Sequence, residues 1–396
     1  MDYTKFINPR AAALRPSGIR KFFDAVNEVP DAISLGVGEP DFRTPYFIGD
    51  RAIKSVKDGR TQYTANNGKS ELRELVSQYL QARMGVSYSP SEVLITVGAS
   101  EAIDLALRAT VSDGDEVLIP EPCFVSYAPC VALAGGVPVP LPCKESEGFI
   151  VTPEAIGAAC TAKTKSILLS YPNNPTGAVM NETEIRAVAD AIVGHDLLLI
   201  SDEIYAELSF GGAHFSPARI PALRERCIYV GGFSKAFAMT GWRLGFLCAP
   251  APLYSPMFKI HQYAIMCAPT FSQYAGIAAL SQSLTDGFEA VSAMCGSYDK
   301  RRRFMYKALT DAGLDCFEPM GAFYIFPSVK RLGVDGETFA MGLLEQEKVV
   351  VVPGSAFGES GKYNVRISYA YSMQKLITAT GRIADYIHNH FKEGKT

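Results

Sequence analysis

Seven strand-length runs of mostly apolar residues in the middle of the chain constrain the fold more than any other feature. Stretches with helical periodicity lie between them, for example at Ser100–Thr110, Val125–Ala134 and Glu182–Val193. Strands that are apolar along their whole length are typical of a parallel sheet with helices on both faces. The alternation therefore predicts an α/β domain with a mostly parallel, mixed sheet sandwiched by helices. The predicted strands are Val93–Val97, Glu116–Pro120, Val137–Leu141, Ser166–Ser170, Leu197–Asp202, Cys227–Gly231 and Leu244–Ala249.

The pattern changes after Pro269, where helical periodicity dominates from Phe271 to Asp311. The 396 residues suffice for two domains, and this change predicts a second, smaller α+β domain. The N-terminal residues fit the large sheet poorly and are expected to join the smaller domain, which is then built from both chain ends. We expect an N-terminal arm with part of the small domain at 1–45, the large domain at 46–285 and the small C-terminal domain at 286–396. The late elements are predicted at Phe323–Phe326, Val349–Val352, Val365–Ser368 and Met373–Phe391.

Charge and cysteine content exclude several classes of function. The 38 basic and 41 acidic residues give a formal net charge of −3, so no basic excess is available for nucleic-acid binding. The nine cysteines are scattered without a C-x-x-C pair, which argues against zinc and predicts reduced thiols in a cytoplasmic protein. No signal peptide and no membrane span are expected. No metal site is expected, because His195, His214 and His261 are predicted to have no carboxylate or cysteine cluster around them.

Lys235 is the residue of greatest chemical interest. It is bounded by Phe233 and Phe237, an unusual setting for a solvated lysine. A lysine in apolar surroundings loses its proton readily and can act as an amine nucleophile. Ser234 beside it and Arg243 eight residues later could hold an anion.

Three further polar segments follow predicted strands. Asp202 closes one apolar strand with Tyr205 three residues later, and Asn174 lies in the turn Tyr171–Gly177 after another. The segment Thr96–Ala102 leads from a strand into a helix, whose first N–H groups would suit a phosphate. Each segment alone has an ordinary structural explanation, such as a loop or a serine N-cap. In combination with the buried lysine, they predict a pyridoxal-phosphate site.

At these residues the chain resembles the class I/II aminotransferases of the fold-type I pyridoxal-phosphate family. The resemblance extends from Ser34–Asp41 to Val365–Ser368, and Phe233–Gly245 is its most specific part. It is strongest with the bacterial branch of aspartate, aromatic and acetyl-diaminopimelate aminotransferases. It implies a transferase of the EC 2.6.1 type that moves an amino group from an L-amino acid, with aromatic or acidic donors favoured. The acceptor is expected to be a 2-oxo acid, with 2-oxoglutarate favoured.

The resemblance also assigns the contacts of pyridoxal 5'-phosphate. Lys235 would hold the cofactor covalently and move the substrate α-proton, while Asp202 would keep the pyridine nitrogen protonated. Asn174 and Tyr205 would hydrogen-bond the 3-oxygen of the cofactor. The other implied contacts are the N–H groups of Ala99 and Ser100, the ring of Phe124, the side chains of Ser234 and Arg243, and Tyr63 of the partner subunit.

Substrate contacts follow from the same resemblance. Arg366 would bind the substrate α-carboxylate through two parallel hydrogen bonds, assisted by the N–H of Gly38 and by Asn174. Ser17–Ile19 is expected to form part of a lid, and the functional unit is expected to be a homodimer with shared active sites. The family tends to hold cis peptides at Glu121–Pro122 and Asn174–Pro175, and a cis bond is predicted at the second.

Two other functions remain open on the residues alone. The first is a pyridoxal-phosphate-dependent C–S β-lyase, in which the same carbanion expels a leaving group instead of being reprotonated. The second is a non-catalytic ligand-binding regulator, because a fold alone does not determine activity.

Overall fold

The computed structural model describes residues 1–14, 16, 18 and 31–391. The strands in chain order are β1 Ile33–Ser34, β2 Val93–Thr96, β3 Glu116–Glu121, β4 Val137–Pro142, β5 Thr164–Ser170, β6 Leu198–Asp202, β7 Cys227–Gly232, β8 Gly245–Cys248, β9 Tyr324–Ile325, β10 Val349–Val350, β11 Val352–Pro353 and β12 Val365–Ser368. The helices are α1 Pro9–Ala13, α2 Tyr46–Lys57, α3 Ser70–Tyr79, α4 Gly98–Thr110, α5 Tyr127–Ala134, α6 Pro153–Ala159, α7 Glu182–Gly194, α8 Ala251–Ala264, α9 Thr270–Asp286, α10 Glu289–Asp311, α11 Gly336–Glu347 and α12 Met373–Phe391.

The large sheet contains the seven predicted strands in the order β2-β8-β7-β6-β5-β3-β4. The pairs β3–β4, β3–β5, β5–β6 and β6–β7 are parallel, whereas β8 is antiparallel to both β2 and β7. Parallel neighbours need a long crossover, usually a helix. The connection from β7 to β8 has no α-helix, and β8 accordingly reverses direction. The prediction of a mostly parallel, mixed sheet is confirmed, and the reversing connection carries Lys235.

Helices cover both faces of this sheet, which explains the apolar strands. Leu168 of β5 packs in a core with Leu105 of α4. Its neighbours Ile167 and Leu169 pack on the opposite face with Ile185 of α7. Because successive strand residues point to opposite faces, a strand covered on both sides must be apolar at every position.

The smaller domain combines the segment Ile33–Leu35 from the N-terminal part of the chain with C-terminal elements, as predicted. Ile33 and Ser34 pair in parallel with Val349 and Val350, and Leu35 lies in the core formed by the C-terminal elements. The predicted strand Val349–Val352 is two strands, because β10 pairs with β1 whereas β11 joins the antiparallel sheet β11-β12-β9. The exact domain boundaries stay predictions.

Three proline bonds are cis, at Glu121–Pro122, Tyr171–Pro172 and Asn174–Pro175. The prediction for Asn174–Pro175 is confirmed, and the bond at Tyr171–Pro172 was not predicted. All nine cysteines are free thiols, and the cytoplasmic location stays a prediction. Within residues 1–14 and 31–391, no helix has the length and apolar character needed to span a bilayer.

Candidate active site

A cavity of about 510 Å³ opens at the carboxyl ends of the parallel strands. This is the edge at which open α/β sheets bind ligands, because several loops converge there. Every predicted site residue except Tyr63 lines the cavity, namely Gly38, Ala99, Ser100, Phe124, Asn174, Asp202, Tyr205, Ser234, Lys235, Arg243 and Arg366.

Lys235 lies on the loop that follows β7, and its side chain is partly shielded from solvent. Its Nζ donates to the carbonyl oxygen of Gly38 at 2.7 Å. Loss of solvation lowers the pKa of Lys235 to about 8, and the positive charges of Arg366 and Arg243 add to this effect, whereas Glu39 opposes it. Near neutral pH a far larger fraction of this amine is therefore neutral and nucleophilic than for an ordinary lysine.

The pH dependence of the Lys235 amine gives a direct test. Only a neutral amine attacks an aldehyde, so the rate of pyridoxal phosphate capture by the cofactor-free protein should rise with a midpoint near 8, rather than near the ordinary lysine value of 10.5. Stopped-flow absorbance measures this rate. Nα-acetyl-lysine reacting with the same aldehyde is the control, and identical pH profiles for the two amines would contradict the assignment.

Asp202 ends β6 and is only 4% exposed. Its Oδ2 accepts a hydrogen bond from the Tyr127 hydroxyl at 2.8 Å, and its Oδ1 accepts one from the Ile204 N–H at 3.1 Å. Burial raises the pKa of Asp202 to about 6, while the two hydrogen bonds and Lys235 act in the opposite direction. The carboxylate is thus mostly ionised at neutral pH and fixed in orientation, as a partner for a protonated ring nitrogen requires.

The start of α4 and the loop before β8 form a close-fitting cradle. Gly98 has a φ of +74°, and a Cβ built there would lie 2.7 Å from Nη2 of Arg243. A Cβ at Gly245 would lie 2.6 Å from the Ala99 nitrogen. Only glycine allows this approach, which leaves the first N–H groups of α4 beside a guanidinium. With the buried Ser234 hydroxyl lining the same cavity, this arrangement suits a phosphate.

Arg366 of β12 is 3% exposed and is held from two sides. Its Nη1 donates to Asn174 Oδ1 at 2.9 Å and its Nη2 donates to the Gly36 carbonyl at 2.6 Å. The guanidinium stacks over the rings of Tyr324 and Phe357, at 4.5 and 4.7 Å. Its Nε is buried with no hydrogen-bond partner, a costly arrangement that a bound carboxylate would relieve.

Tyr127, Tyr324 and Glu39 also line the cavity and were not identified from the sequence. Tyr127 lies three residues after Phe124, but no local pattern distinguishes it from a core tyrosine. Tyr324 comes from the smaller domain, and its hydroxyl lies 2.8 Å from that of Tyr205. Glu39 directly follows Gly38, and its Oε2 accepts from the Thr240 hydroxyl at 3.1 Å.

Tyr63 is the one predicted site residue that does not line the cavity in the single chain. It is 80% exposed and lines a separate groove with Lys69 and Tyr274. Its expected contact with the phosphate of a partner subunit stays a prediction. Of the expected lid, Ser17 and Ile19 lie outside the described residues.

The expectation that the histidines lack carboxylate neighbours is wrong for two of them. His214 hydrogen-bonds Glu203 at 2.8 Å, and the fully buried His261 hydrogen-bonds Glu101 at 2.7 Å. Glu101 is 160 positions from His261 and meets it only through the packing of α8 against α4. No group of three metal-ligating side chains occurs in the part of the chain that the structure describes.

Comparison with known proteins gives a consistent result. The family model described as aminotransferase class I and II matches residues 30–383. The putative aminotransferase YugH of Bacillus subtilis is 48% identical over 386 residues, covering 97% of this chain and 99% of that protein. An aspartate aminotransferase of Pyrococcus abyssi is 43% identical over 379 residues, covering 95% and 97%. The crystal structure of an aromatic aminotransferase from Pyrococcus horikoshii superposes with a TM-score of 0.88 at 42% identity, covering 93% and 99%.

Proposed function

We propose that this chain, which belongs to the family of class I and II aminotransferases, transfers an amino group from an L-amino acid to 2-oxoglutarate and uses pyridoxal phosphate to do so. Members of the family use this cofactor. The observation that carries the proposal is the convergence of the Lys235 amine, the Asp202 carboxylate and the Arg366 guanidinium on one cavity. These three groups supply a nucleophilic base, a ring partner and a carboxylate receptor.

The residues present fit pyridoxal phosphate. When bound, the cofactor supplies an aldehyde that bonds covalently to amines and a ring that withdraws electrons from the substrate Cα. The Lys235 amine would hold the aldehyde carbon, and the ionised Asp202 would hold a proton on the ring nitrogen. Ser234 and Arg243 would hold the phosphate together with the first N–H groups of α4.

The substrate would be oriented from the opposite wall of the cavity. Arg366 would bind the α-carboxylate, with the unpaired Nε supplying one of its donors and the Gly38 N–H assisting. The Lys235 Nζ donates to the Gly38 carbonyl, so the base lies next to this carboxylate-binding wall. A base held in this position would move the α-proton from Cα with the advantage of proximity.

The proposed donors are aromatic or acidic amino acids. Relatives that are named aspartate aminotransferase and aromatic-amino-acid aminotransferase resemble this chain at 43% and 42% identity. Among the described residues, the cations that line the cavity are Lys235, Arg243 and Arg366, and each has a role with the cofactor or the α-carboxylate. We propose that a homodimer completes the site, because Tyr63 is exposed in the single chain.

A panel of amino donors tests this function. Each L-amino acid is incubated with the loaded enzyme and 2-oxoglutarate, and glutamate formation is measured. Glutamate should form with aromatic or acidic donors and should require the oxo acid. Release of pyruvate and ammonia from cystathionine without any oxo acid would instead indicate the β-lyase. Borohydride reduction followed by peptide mapping should place the cofactor on Lys235, and a label on another lysine would reject the site.

A further inference from the structure

Tyr324 joins the two halves of the cavity. It is fully buried in β9, and its ring lies beneath the Arg366 guanidinium at 4.5 Å. Its hydroxyl reaches the Tyr205 hydroxyl at 2.8 Å. A Cβ at Gly38 would lie 2.8 Å from the same Tyr324 hydroxyl, so the backbone of Gly38 closes the other side. Tyr324 therefore touches the carboxylate-binding wall, the N-terminal segment and the cofactor-side tyrosine.

The protons of the two facing hydroxyls can be assigned. Burial raises the pKa of both Tyr205 and Tyr324, so both phenols keep their protons at neutral pH. The two hydroxyl oxygens therefore share one hydrogen bond but carry two protons, and only one of these protons can lie between them. In residues 31–391, Tyr205 is the only hydrogen-bond partner found for the Tyr324 hydroxyl. A buried hydroxyl that fails to donate is costly, and donation from Tyr324 to Tyr205 avoids this cost for Tyr324.

This direction of donation leaves the Tyr205 proton free to point into the cavity. We propose that Tyr324 is a positioning residue that donates to Tyr205 and thereby aims the Tyr205 hydroxyl proton at the anionic oxygen of the bound cofactor. The inference rests on the proposed function and deepens it. A hydroxyl that accepts a hydrogen bond also becomes a stronger donor, because hydrogen bonds in a chain polarise one another. Tyr324 thus strengthens a contact that it does not itself make.

The titration of the bound cofactor reports this effect. Donation from Tyr205 withdraws negative charge from the cofactor oxygen and makes the bound chromophore less basic. Tyr324→Phe keeps the ring beneath Arg366 and removes only the hydroxyl. We expect the pH midpoint of the visible absorbance change of bound pyridoxal phosphate to rise by about half a pH unit to one unit, the effect of one ordinary hydrogen bond.

A double-mutant cycle separates action through Tyr205 from independent action. Tyr205→Phe should raise the midpoint further than Tyr324→Phe, and the double variant should match Tyr205→Phe alone. Tyr386→Phe, which removes a hydroxyl from a tyrosine only 6% exposed in α12, is the matched control and should leave the midpoint unchanged. Tyr324→Met also lacks the hydroxyl and should shift the midpoint in the same direction if the Phe variant fails to fold.

The experiment distinguishes a failure of this inference from a failure of the proposed function. If wild-type protein binds no cofactor at Lys235, the proposed function itself is wrong. If the cofactor binds but Tyr324→Phe leaves its midpoint unchanged, the proton assignment is overturned. A shift in Tyr324→Phe that adds in full to that of Tyr205→Phe would also overturn it, because Tyr324 would then act without Tyr205.

Discussion

Replacing Lys235 by alanine is expected to lower kcat by about 10²- to 10⁴-fold, because the variant loses the proposed base and proton transfer by a positioned side chain contributes about this factor. Cofactor binding should persist in non-covalent form, since Asp202 and the phosphate cradle stay intact. The measurement is single-turnover formation of glutamate, together with cofactor content after gel filtration. Borohydride should no longer attach the cofactor to the protein.

Two variants control this result. Lys235→Arg keeps a positive charge but cannot lose its proton, so it should be as inactive as the alanine variant. Lys307→Ala removes a lysine whose side chain is 77% exposed in α10 and should turn over at the wild-type rate. Normal rates in Lys235→Ala would reject its role as the base. An inactive Lys307→Ala would show that the assay reports folding rather than chemistry.

The site residues that could be predicted from the sequence are those with an unusual setting among their immediate neighbours in the chain. Lys235 stands between Phe233 and Phe237, and Asp202 ends an apolar strand, so each is conspicuous within a window of a few residues. The parallel sheet then brings these strand ends to one edge. The strand pattern was equally visible, because coverage on both faces makes every strand position apolar.

Residues whose role depends on distant packing could not be found in this way. Tyr324 lies 119 positions from Tyr205, and the two hydroxyls meet only when the smaller domain packs against the large sheet. Tyr127 is 75 positions from Asp202, to whose carboxylate its hydroxyl donates. The pairing of His261 with Glu101 was missed for the same reason. A single sequence carries no signal for such pairs, because each member has an ordinary local setting.

The split of the segment Val349–Val352 illustrates the corresponding limit for the fold. Four consecutive apolar β-branched residues predict one buried strand, and all four are buried. The chain nevertheless pairs first with Ile33 and Ser34 and then with Val365 and Arg366, so one apolar run serves two sheets. The burial of this segment was therefore predictable from its composition, but its pairing partners were not. Its first half pairs with a strand more than 300 positions earlier in the chain, and its second half pairs with a strand that follows closely.

Arg366→Lys is expected to raise KM for every substrate by about 10- to 100-fold, the cost of losing one or two charge-assisted hydrogen bonds. Lysine keeps the positive charge but cannot present two parallel donors or stack flat between Tyr324 and Phe357. Because all amino and oxo acids share the α-carboxylate, aspartate and phenylalanine should weaken alike. The measurement is KM for both donors at saturating 2-oxoglutarate.

The increase in KM for aspartate has to be compared with the increase for phenylalanine, because this comparison shows which end of the substrate Arg366 binds. Arg303→Lys is a suitable control, since the Arg303 side chain is 61% exposed on α10 and pairs with Asp299 outside the cavity. A loss confined to aspartate in Arg366→Lys would place Arg366 at the side-chain end of the pocket. Equal losses would identify it as the α-carboxylate receptor. The unpaired Nε then has a functional reason, because a guanidinium saturated by protein acceptors would have no donor left for the substrate.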